Sequence, residues 1–396
     1  MNNISEIHDC YGCGVCATIC AKNVISIELN KNGFYEPRIT DADLCTQCGL
    51  CLDVCAFSHT ERSVEQNEVS AYAGWSNNIQ VRRKASSGGV GYEIAKSAIE
   101  QGYKFCGCRY NVEHGRAEHY IASTVEEAIP SMGSKYIQSY TVDGFKAINR
   151  KEKHLVCGTP CQIDSFRRYI KKFRCEDNFV LMDFFCHAVP SMWAWKKYTS
   201  EIEKEIGKIT EITWRNKFTG WHDSYLVSAD GDRFNAGRAP KGAFEERKGD
   251  FNAWFTRGDV FCNLFLRDFC CNPACQKNCK YKYNKSAADI RIGDLWGPQY
   301  KDNEDGVTGV VVFNEKGKKI LEQIDTIKLV DHPFEIVAQG QMKHNAGSAF
   351  LAPVAKRMLN NKKQYSLKQW KLLLKCEGAL HLPSRIINKI KHLTSK

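Results

Sequence analysis

The sequence lacks any long hydrophobic run. No stretch of its 396 residues approaches the roughly 18 consecutive apolar residues that a membrane-spanning helix needs. Residues Met1 to Cys10 contain no apolar segment of the secretory type. These two absences predict a cytoplasmic protein. They also argue against interpreting its cysteines as the disulfides of an exported domain.

The body of the chain also lacks an excess of basic charge. The formal net charge is +11, but Lys356 to Lys396 alone contain eleven Lys or Arg and one acidic residue. The remainder is therefore nearly neutral. Nucleic-acid enzymes usually carry basic residues around their working face, so we expect no nucleic-acid partner.

Cysteine, by contrast, is abundant. The chain contains 20 cysteines, and its hydrophobic fraction of 43% is enough to bury a sizeable core. A chain of this length is expected to form two or three domains. In a long chain without a signal peptide, so many thiols indicate metal binding.

Eight of these cysteines form two copies of one C-x2-C-x2-C-x3-C run. The runs are Cys10, Cys13, Cys16 and Cys20, then Cys45, Cys48, Cys51 and Cys55. In two-cluster ferredoxins of this type, the fourth cysteine of each run ligates the other cluster. We therefore predict two [4Fe–4S] clusters, with Cys55 joining the first three thiols and Cys20 joining the second three. The proline that usually follows the fourth cysteine is replaced by Ala21 and Ala56. Zinc at paired C-x2-C sites is the alternative.

Composition and pattern divide the chain into four parts. Residues 1–59 form the ferredoxin-like domain, 60–70 a polar linker, 71–353 an α/β domain with a mixed sheet, and 354–396 a basic helical tail. The α/β prediction rests on alternating strand-like and helix-like segments between residues 71 and 297.

Loops that follow predicted strands carry the candidate cofactor residues. Ser86, Ser87, Gly88 and Gly89 precede a helical segment, where free amides and hydroxyls suit a phosphate; a plain helix cap is the alternative. Lys135 lies in a Gly–Ser loop, where a solvated lysine is the alternative, and Thr159 follows the strand HLVCG. Ligands of open α/β sheets bind at such strand ends.

Two histidines are candidates for the proton donor of a reaction. His187 follows the strand FVLMDFFC, and His222 lies in the polar and aromatic stretch WRNKFTGWHDS. Imidazole is the side chain best suited to exchange a proton near neutral pH. For His187, a packed core histidine is the alternative.

A second group of cysteines lies late in the body, in CCNPACQKNC. Cys271, Cys275 and Cys279 have metal-ligand spacing, and we favour a third [4Fe–4S] cluster over zinc. The fourth ligand is open among Cys270, Cys161 and Cys186, and we take Cys161 as the candidate. The other thiols are expected to be ordinary buried cysteines.

Several of these segments together resemble a known family. The pieces SSGGV, GSKYIQS, GTPCQI, CHAVPS, RNKFTGW and ADIRIGDLWG resemble the coenzyme F-420 hydrogenase/dehydrogenase beta-subunit family. The resemblance implies an FAD-binding fold with an iron–sulfur cluster beside the flavin. It implies that SSGGV and the Lys135 loop belong to the flavin site, and that the late cysteines hold the inner cluster.

We therefore expect an iron–sulfur flavoprotein oxidoreductase. Electrons would pass from ferredoxin or another one-electron carrier, through the clusters and FAD, to a small organic substrate. The alternative is an electron-transfer adaptor that docks to a catalytic partner and has no substrate of its own. The basic tail would either touch an anionic membrane surface or pack on the body with a solvated basic side.

Overall fold

The computed structural model describes residues 2–234, 242–245, 247–254 and 257–380. The basic tail is thus described only as far as Leu380, and the prediction for residues 381–396 lies outside the described chain. Within the described ranges, we find no helix with the length and apolar character needed to cross a bilayer.

The strands form one large sheet and two small ones. In chain order they are β1 (Ile25–Leu29), β2 (Tyr35–Ile39), β3 (Ser70–Ser76), β4 (Lys104–Asn111), β5 (Arg116–Ala122), β6 (Ser139–Tyr140), β7 (His154–Cys157), β8 (Phe179–Phe184), β9 (Ile209–Asn216), β10 (Tyr225–Gly231), β11 (Phe251–Trp254), β12 (Ile290–Asp294), β13 (Thr308–Val312) and β14 (Ile327–Asp331). The large sheet has nine strands in the order β14-β3-β13-β12-β8-β7-β4-β5-β6. Its centre, β12-β8-β7-β4, is parallel, while β13, β3 and β14 pair antiparallel. The predicted mixed sheet is confirmed.

Helices lie on both faces of this sheet, in the N-terminal module and against the small sheet β9-β10-β11. They are α1 (Val15–Ile19), α2 (Leu50–Asp53), α3 (Ile79–Lys84), α4 (Val90–Glu100), α5 (Val125–Ala128), α6 (Val142–Lys146), α7 (Pro160–Lys172), α8 (Met192–Ile206), α9 (Val260–Leu266), α10 (Pro273–Lys277), α11 (Glu315–Glu322), α12 (Phe334–Val337), α13 (Ala352–Asn360) and α14 (Leu367–Leu380). Short 3-10 helices span Ile4–Glu6, Ile129–Ser131, Glu176–Asn178, Lys217–Thr219, Asp232–Phe234 and Pro298–Tyr300.

The large sheet has a hydrophobic core on each of its faces, and the alternation of side chains along the central strands explains both. Leu155 and Val180 pack with the α4 side of the sheet, whereas Val156 and Leu181 pack with the α7 side. Successive residues of a strand point to opposite faces. Since both faces are covered, β7 and β8 are apolar at all but one position each, as is typical of parallel sheets.

The N-terminal module is a small antiparallel hairpin, β1-β2, with one short helix after each cysteine loop. It is fixed to the body by hydrogen bonds to its cysteine loop. The Gln138 side chain donates to the Tyr11 carbonyl (3.0 Å) and accepts from the Tyr35 amide (2.9 Å). Gly12 has a φ of 65°, and a Cβ there would lie 2.4 Å from the Gln138 amide nitrogen. Only glycine therefore permits this close approach.

The segment predicted as a polar linker follows the surface of the body. The Ser63 amide donates to Asp164 (2.7 Å), and Lys280 donates to the carbonyl of His59 (2.8 Å). The Val69 amide then donates to the Val312 carbonyl (2.7 Å), just before β3 begins. The domain boundaries themselves stay predictions.

The last described helix, α14, packs against the body. Trp370, Leu373 and Leu374 are buried, as one face of the predicted amphipathic helix requires. Leu372 on the outer side is exposed. This packing favours the body-bound alternative for the described part of the tail.

A fully buried ion pair joins two central strands to the loop that precedes β12. Arg291 of β12 makes two parallel hydrogen bonds of 2.7 Å to the carboxylate of Asp183 on β8. The same guanidinium donates to the carbonyls of Tyr281, Tyr283 and Lys285. Ser286 also donates to Asp183 (2.7 Å). Every charged atom of the pair therefore has a partner, as burial of charge requires.

We expect Arg291→Leu to lower the free energy of unfolding by about 3–5 kcal/mol, because it leaves the Asp183 carboxylate buried and unpaired. Thermal or urea unfolding of the cluster-loaded protein measures the change. Lys104→Met is the matched control, since it breaks the half-exposed pair with Glu152 and is expected to cost about 0–1 kcal/mol. Equal losses in the two variants would contradict the structural role assigned to the buried pair.

Candidate iron–sulfur and cofactor sites

The structure brings together the four thiols predicted for the first cluster. Cys10, Cys13, Cys16 and Cys55 line one cavity beneath the loop that carries Gly12 and Gly14. Burial raises the pKa of Cys13 to about 11. It also raises the pKa values of Cys10 and Cys16. Four buried thiolates coexist only with a cationic centre among them, so this donor set fits an iron–sulfur cluster.

The second group lies nearer to the surface. Cys48 is exposed and Cys45 is half-buried, whereas Cys51 is buried. The Cys51 and Cys48 thiols interact electrostatically, and the Asn3 amide donates to the Cys45 sulfur (3.7 Å). Cys20 is half-buried and packs in the hydrophobic cluster that contains Cys51. Cys16 of the first group interacts with Cys51 of this one, so the two groups are neighbours.

A third group of thiols lies where the body meets the module. Cys161, at the start of α7, interacts electrostatically with Cys275 and Cys186. Cys186 and Cys275 in turn interact with Cys279. Of the predicted ligands of the third site, Cys161, Cys275 and Cys279 are thus brought together, and Cys186 joins them.

Spacing along the chain favours Cys271 as a ligand and offers Cys186 only as an alternative. Topology is the signal that points to Cys186. Because β7 and β8 are parallel neighbours, the loops after them, with Cys161 and Cys186, lie side by side.

The Cys271 thiol also interacts electrostatically with Cys275, but its hydrogen bonds are made outside this group. It donates to the Phe265 carbonyl and to the Asp268 carboxylate, both at 3.5 Å. His187 is hydrogen-bonded to the same carboxylate oxygen of Asp268 at 3.0 Å. Burial lowers the pKa of His187 despite the facing carboxylate, which favours the neutral imidazole. No motif or spacing in the sequence pointed to Asp268.

The Ser86–Gly89 loop is held tightly at the end of β3. The Ser86 hydroxyl accepts from the Ser134 amide, and the Gly88 amide donates to the Thr308 hydroxyl, both at 2.8 Å. A Cβ at Gly88 would lie 2.3 Å from the Gly74 carbonyl oxygen. Helix α4 begins directly after Gly89, which has a φ of 88° and provides no side-chain cap. The first amides of α4 therefore lack a side-chain acceptor from the cap residue.

Lys135 is folded into its own loop. Its ammonium donates to the carbonyls of Pro130, Ser131, Met132 and Gly133 at 2.8–3.1 Å. Burial, with a smaller contribution from Lys84, lowers its pKa to about 8. The loop therefore carries a half-buried positive charge beside the Ser86 turn, to which the Ser134 amide joins it.

Thr159 lies in different surroundings from Lys135. Its hydroxyl is 3.2 Å from the Cys161 sulfur. The structure therefore associates Thr159 with the third thiol group.

His222 lies on an aromatic platform at the end of β12. Its Nδ1 is 3.1 Å from Glu304, and its ring contacts Trp221, which stacks on Trp296 with centroids 4.9 Å apart. The Trp221 indole donates to Asp294 (3.2 Å), the last residue of β12. Nearby, the buried Arg215 makes a 3.2 Å ion pair with the same carboxylate.

The candidate loops share one edge of the large sheet. β3, β12, β8 and β7 all run in one direction, so the residues after them meet at their carboxyl ends. The Ser86 turn, the His222 platform, Cys186 and Thr159 therefore lie towards the edge at which open α/β sheets form their ligand crevice.

Comparison with known proteins agrees with both halves of this arrangement. Residues 151–332 match the family model for the C-terminal part of the beta subunit of coenzyme F420 hydrogenase/dehydrogenase, and residues 9–58 match the 4Fe-4S dicluster domain. The coenzyme F420 hydrogenase subunit beta of Methanococcus voltae is 38% identical over 72 residues, which are 17% of this chain and 26% of that protein. The matched region thus spans about a quarter of that relative.

A chain of the F420-reducing [NiFe] hydrogenase complex from Methanosarcina barkeri, solved in a xenon-derivatization study, aligns with a TM-score of 0.46 and 17% identity, over 76% of this chain and 91% of that chain. The two matching family models confirm the resemblance seen in the sequence. Residues 151–332 are therefore similar to the C-terminal part of the coenzyme F420 hydrogenase/dehydrogenase beta subunit, and residues 9–58 match a 4Fe-4S dicluster domain.

Proposed function

We propose that the chain is an iron–sulfur flavoprotein oxidoreductase. It takes electrons from a ferredoxin-type carrier, passes them through [4Fe–4S] clusters to FAD, and delivers them to a small organic substrate. The observation that carries the proposal is the succession of three thiol groups, from exposed Cys48 through Cys16 and Cys13 to Cys161. A purely structural role would not require such a continuous series leading into the sheet crevice.

The protein groups between the first and third thiol sets support a short route. Tyr11 interacts electrostatically with Cys161, Cys275 and Cys279, and its ring contacts Tyr281 at 5.9 Å. Ser165 of α7 accepts from the Cys13 thiol (3.2 Å) and from the Ala56 amide (3.1 Å). These contacts fix the module against the body. We propose Cys161, Cys186, Cys275 and Cys279 as the ligands of a third [4Fe–4S] cluster.

The crevice beside this third site is the proposed flavin site. When bound, the clusters supply single electrons, and the flavin combines two of them for chemistry on an organic substrate. Ser86, Ser87, Gly88 and Gly89 would accept the pyrophosphate, because the first amides of α4 and the close backbone approach at Gly88 suit an anion. The positive charge of Lys135 would act at short range on the same group.

His222 is the better of the two histidines to give a proton to the substrate. It is one-third exposed, and Glu304 orients its ring through Nδ1. A solvent-accessible imidazole held by a carboxylate can be re-protonated after each turnover. His187 is more deeply buried and is hydrogen-bonded to Asp268, and burial lowers its pKa, so we do not assign it this step.

The second candidate function is an electron-transfer subunit that serves a separate catalytic partner. The observation that favours it is that the Methanococcus voltae relative is named as a subunit of a hydrogenase. The two candidates differ in whether the isolated chain can use a small substrate.

Reconstitution with iron, sulfide and FAD, followed by rapid mixing with reduced ferredoxin, tests the main proposal. We expect the cluster absorbance to bleach first and the flavin absorbance to fall afterwards, because the exposed group near Cys48 is the point of entry. A protein that binds no flavin, or whose flavin stays oxidised while the clusters are reduced, would rule the proposal out. Flavin that is reduced but re-oxidised only in the presence of a partner protein would favour the adaptor.

The ligands of the third cluster are tested by a matched pair of serine variants. We expect Cys186→Ser to lose about four iron atoms per chain, the content of one [4Fe–4S] cluster, because its thiol faces Cys275 and Cys279. We expect Cys271→Ser to retain them, since that thiol is hydrogen-bonded to Asp268. Iron and sulfide analysis of anaerobically purified protein measures both. The reverse pattern would restore Cys271 as the ligand.

The flavin site is tested at Gly88. We expect Gly88→Ala to lose most of the bound flavin while keeping its iron, because the added Cβ forces the loop away from the Gly74 carbonyl. Gly378→Ala is the control, since a Cβ at Gly378 in helix α14 meets no atom within 4 Å. Flavin released by acid is quantified by fluorescence. Full flavin content in Gly88→Ala would place the cofactor elsewhere.

A further inference from the structure

Three different donor side chains meet at one point that neither the proposed clusters nor the proposed flavin site uses. The Nδ1 or Nε2 atom of His187, a carboxylate oxygen of Asp268 and the Sγ atom of Cys271 all lie within 4.8 Å of one another. Asp268 Oδ1 is 3.0 Å from His187 Nε2 and 3.5 Å from Cys271 Sγ. They come from two parts of the chain, the loop after β8 and the turn after α9.

We propose that His187, Asp268 and Cys271 form a mononuclear zinc site with an open fourth position. Zinc takes nitrogen, carboxylate oxygen and thiolate ligands in tetrahedral geometry, and its catalytic sites have three protein ligands. Bond lengths of about 2.0–2.3 Å put such ligand atoms about 3.3–3.6 Å apart. The two separations from Asp268 are close to this range, and the His187 and Cys271 donor atoms lie within 4.8 Å of each other.

The charges of the three ligands also match that of a divalent cation. One thiolate, one carboxylate and one neutral imidazole carry two negative charges, which a divalent cation neutralises. Cys271 is buried, and the side chains of His187 and Asp268 are only 18% and 19% exposed, so a neutral complex suits the site. Binding releases the thiol proton to solvent and leaves the imidazole uncharged.

Neighbouring groups hold the three ligands in place, and the nearby lysine ammonium is hydrogen-bonded elsewhere. The second oxygen of Asp268 accepts from the Gly347 amide (2.8 Å), and this leaves Oδ1 facing the other two donors. Phe265 packs edge-on against the His187 ring with centroids 5.2 Å apart. The nearby Lys282 directs its ammonium at the carbonyls of Cys186 and His187. It is thus bound to backbone oxygen and not to Asp268.

The site lies between the proposed third cluster and the sheet crevice. Cys271 packs with Cys275, and Phe265 of the same hydrophobic group contacts the ring of Tyr136, which neighbours Lys135 in sequence. The open zinc position would therefore take a water or an oxygen atom of an organic substrate and polarise it. The zinc site does not require the flavin.

Zinc binding is tested on the cluster-loaded full chain. Protein purified anaerobically is incubated with zinc sulfate, dialysed, and analysed for zinc, iron and sulfide. We expect about one zinc per chain, with an X-ray absorption spectrum that reports one sulfur at about 2.3 Å and the remaining ligands as nitrogen or oxygen. Retention of iron shows that the cluster thiols are still occupied.

Variants then assign the zinc ligands. Cys271→Ser and Asp268→Asn are expected to lower zinc retention at least tenfold with unchanged iron, whereas Cys376→Ser, which removes an exposed thiol of α14, is expected to bind as the unmodified chain does. Retained zinc in both ligand variants would overturn the proposal. So would three or four sulfur ligands per zinc, because zinc would then occupy emptied cluster positions.

Discussion

The buried pair between Arg291 and Asp183 is the interaction on which the arrangement of the sites depends. It connects β12 to β8 and ties the loop from Tyr281 to Lys285 onto both strands. Cys186 lies just beyond the end of β8, and Cys279 lies just before that loop. The ion pair between Arg291 and Asp183, which is buried from solvent, thus helps to fix the distance between two thiols that are far apart in sequence. A hydrophobic replacement of matching volume would leave the three loop carbonyls without their donor.

The same constraint joins the N-terminal module to the body. Tyr281, whose carbonyl accepts from Arg291, donates through its hydroxyl to Asp164 of α7 (2.7 Å) and contacts the ring of Tyr11. Ser165, the next residue of α7, accepts a hydrogen bond from the Cys13 thiol. The cysteine loop of the module is therefore positioned by the interior of the large domain. The two halves also share a hydrophobic core here, because Val15 and Val54 of the module pack in one cluster with Phe166 of α7.

How much of the molecule the sequence predicts depends on how local each feature is. The grouping of Cys55 with Cys10, Cys13 and Cys16 could be predicted, because the repeat itself determines it. The α/β class followed from alternating patterns, but the antiparallel strands β9 and β10 form a sheet of their own and do not make the large sheet mixed. The choice between Cys271 and Cys186 could not be made, because spacing tells how close two thiols are along the chain but not which way each one points. Asp268, the partner of Cys271, has a φ of 61°, a turn that sequence alone does not reveal.

Burial gives these thiol groups a common dependence on bound cations. Burial is the largest cause of the raised pKa of Cys10, Cys16, Cys161 and Cys275. Without a positive centre, each group would hold neutral thiols, whose weak hydrogen bonds contribute little to the fold. With a bound cationic centre, the thiolates become strong ligands that cross-link the module, α7 and α10. Cofactor loading and folding are therefore expected to be coupled most strongly at the third group, because its thiols come from three separate segments of the body.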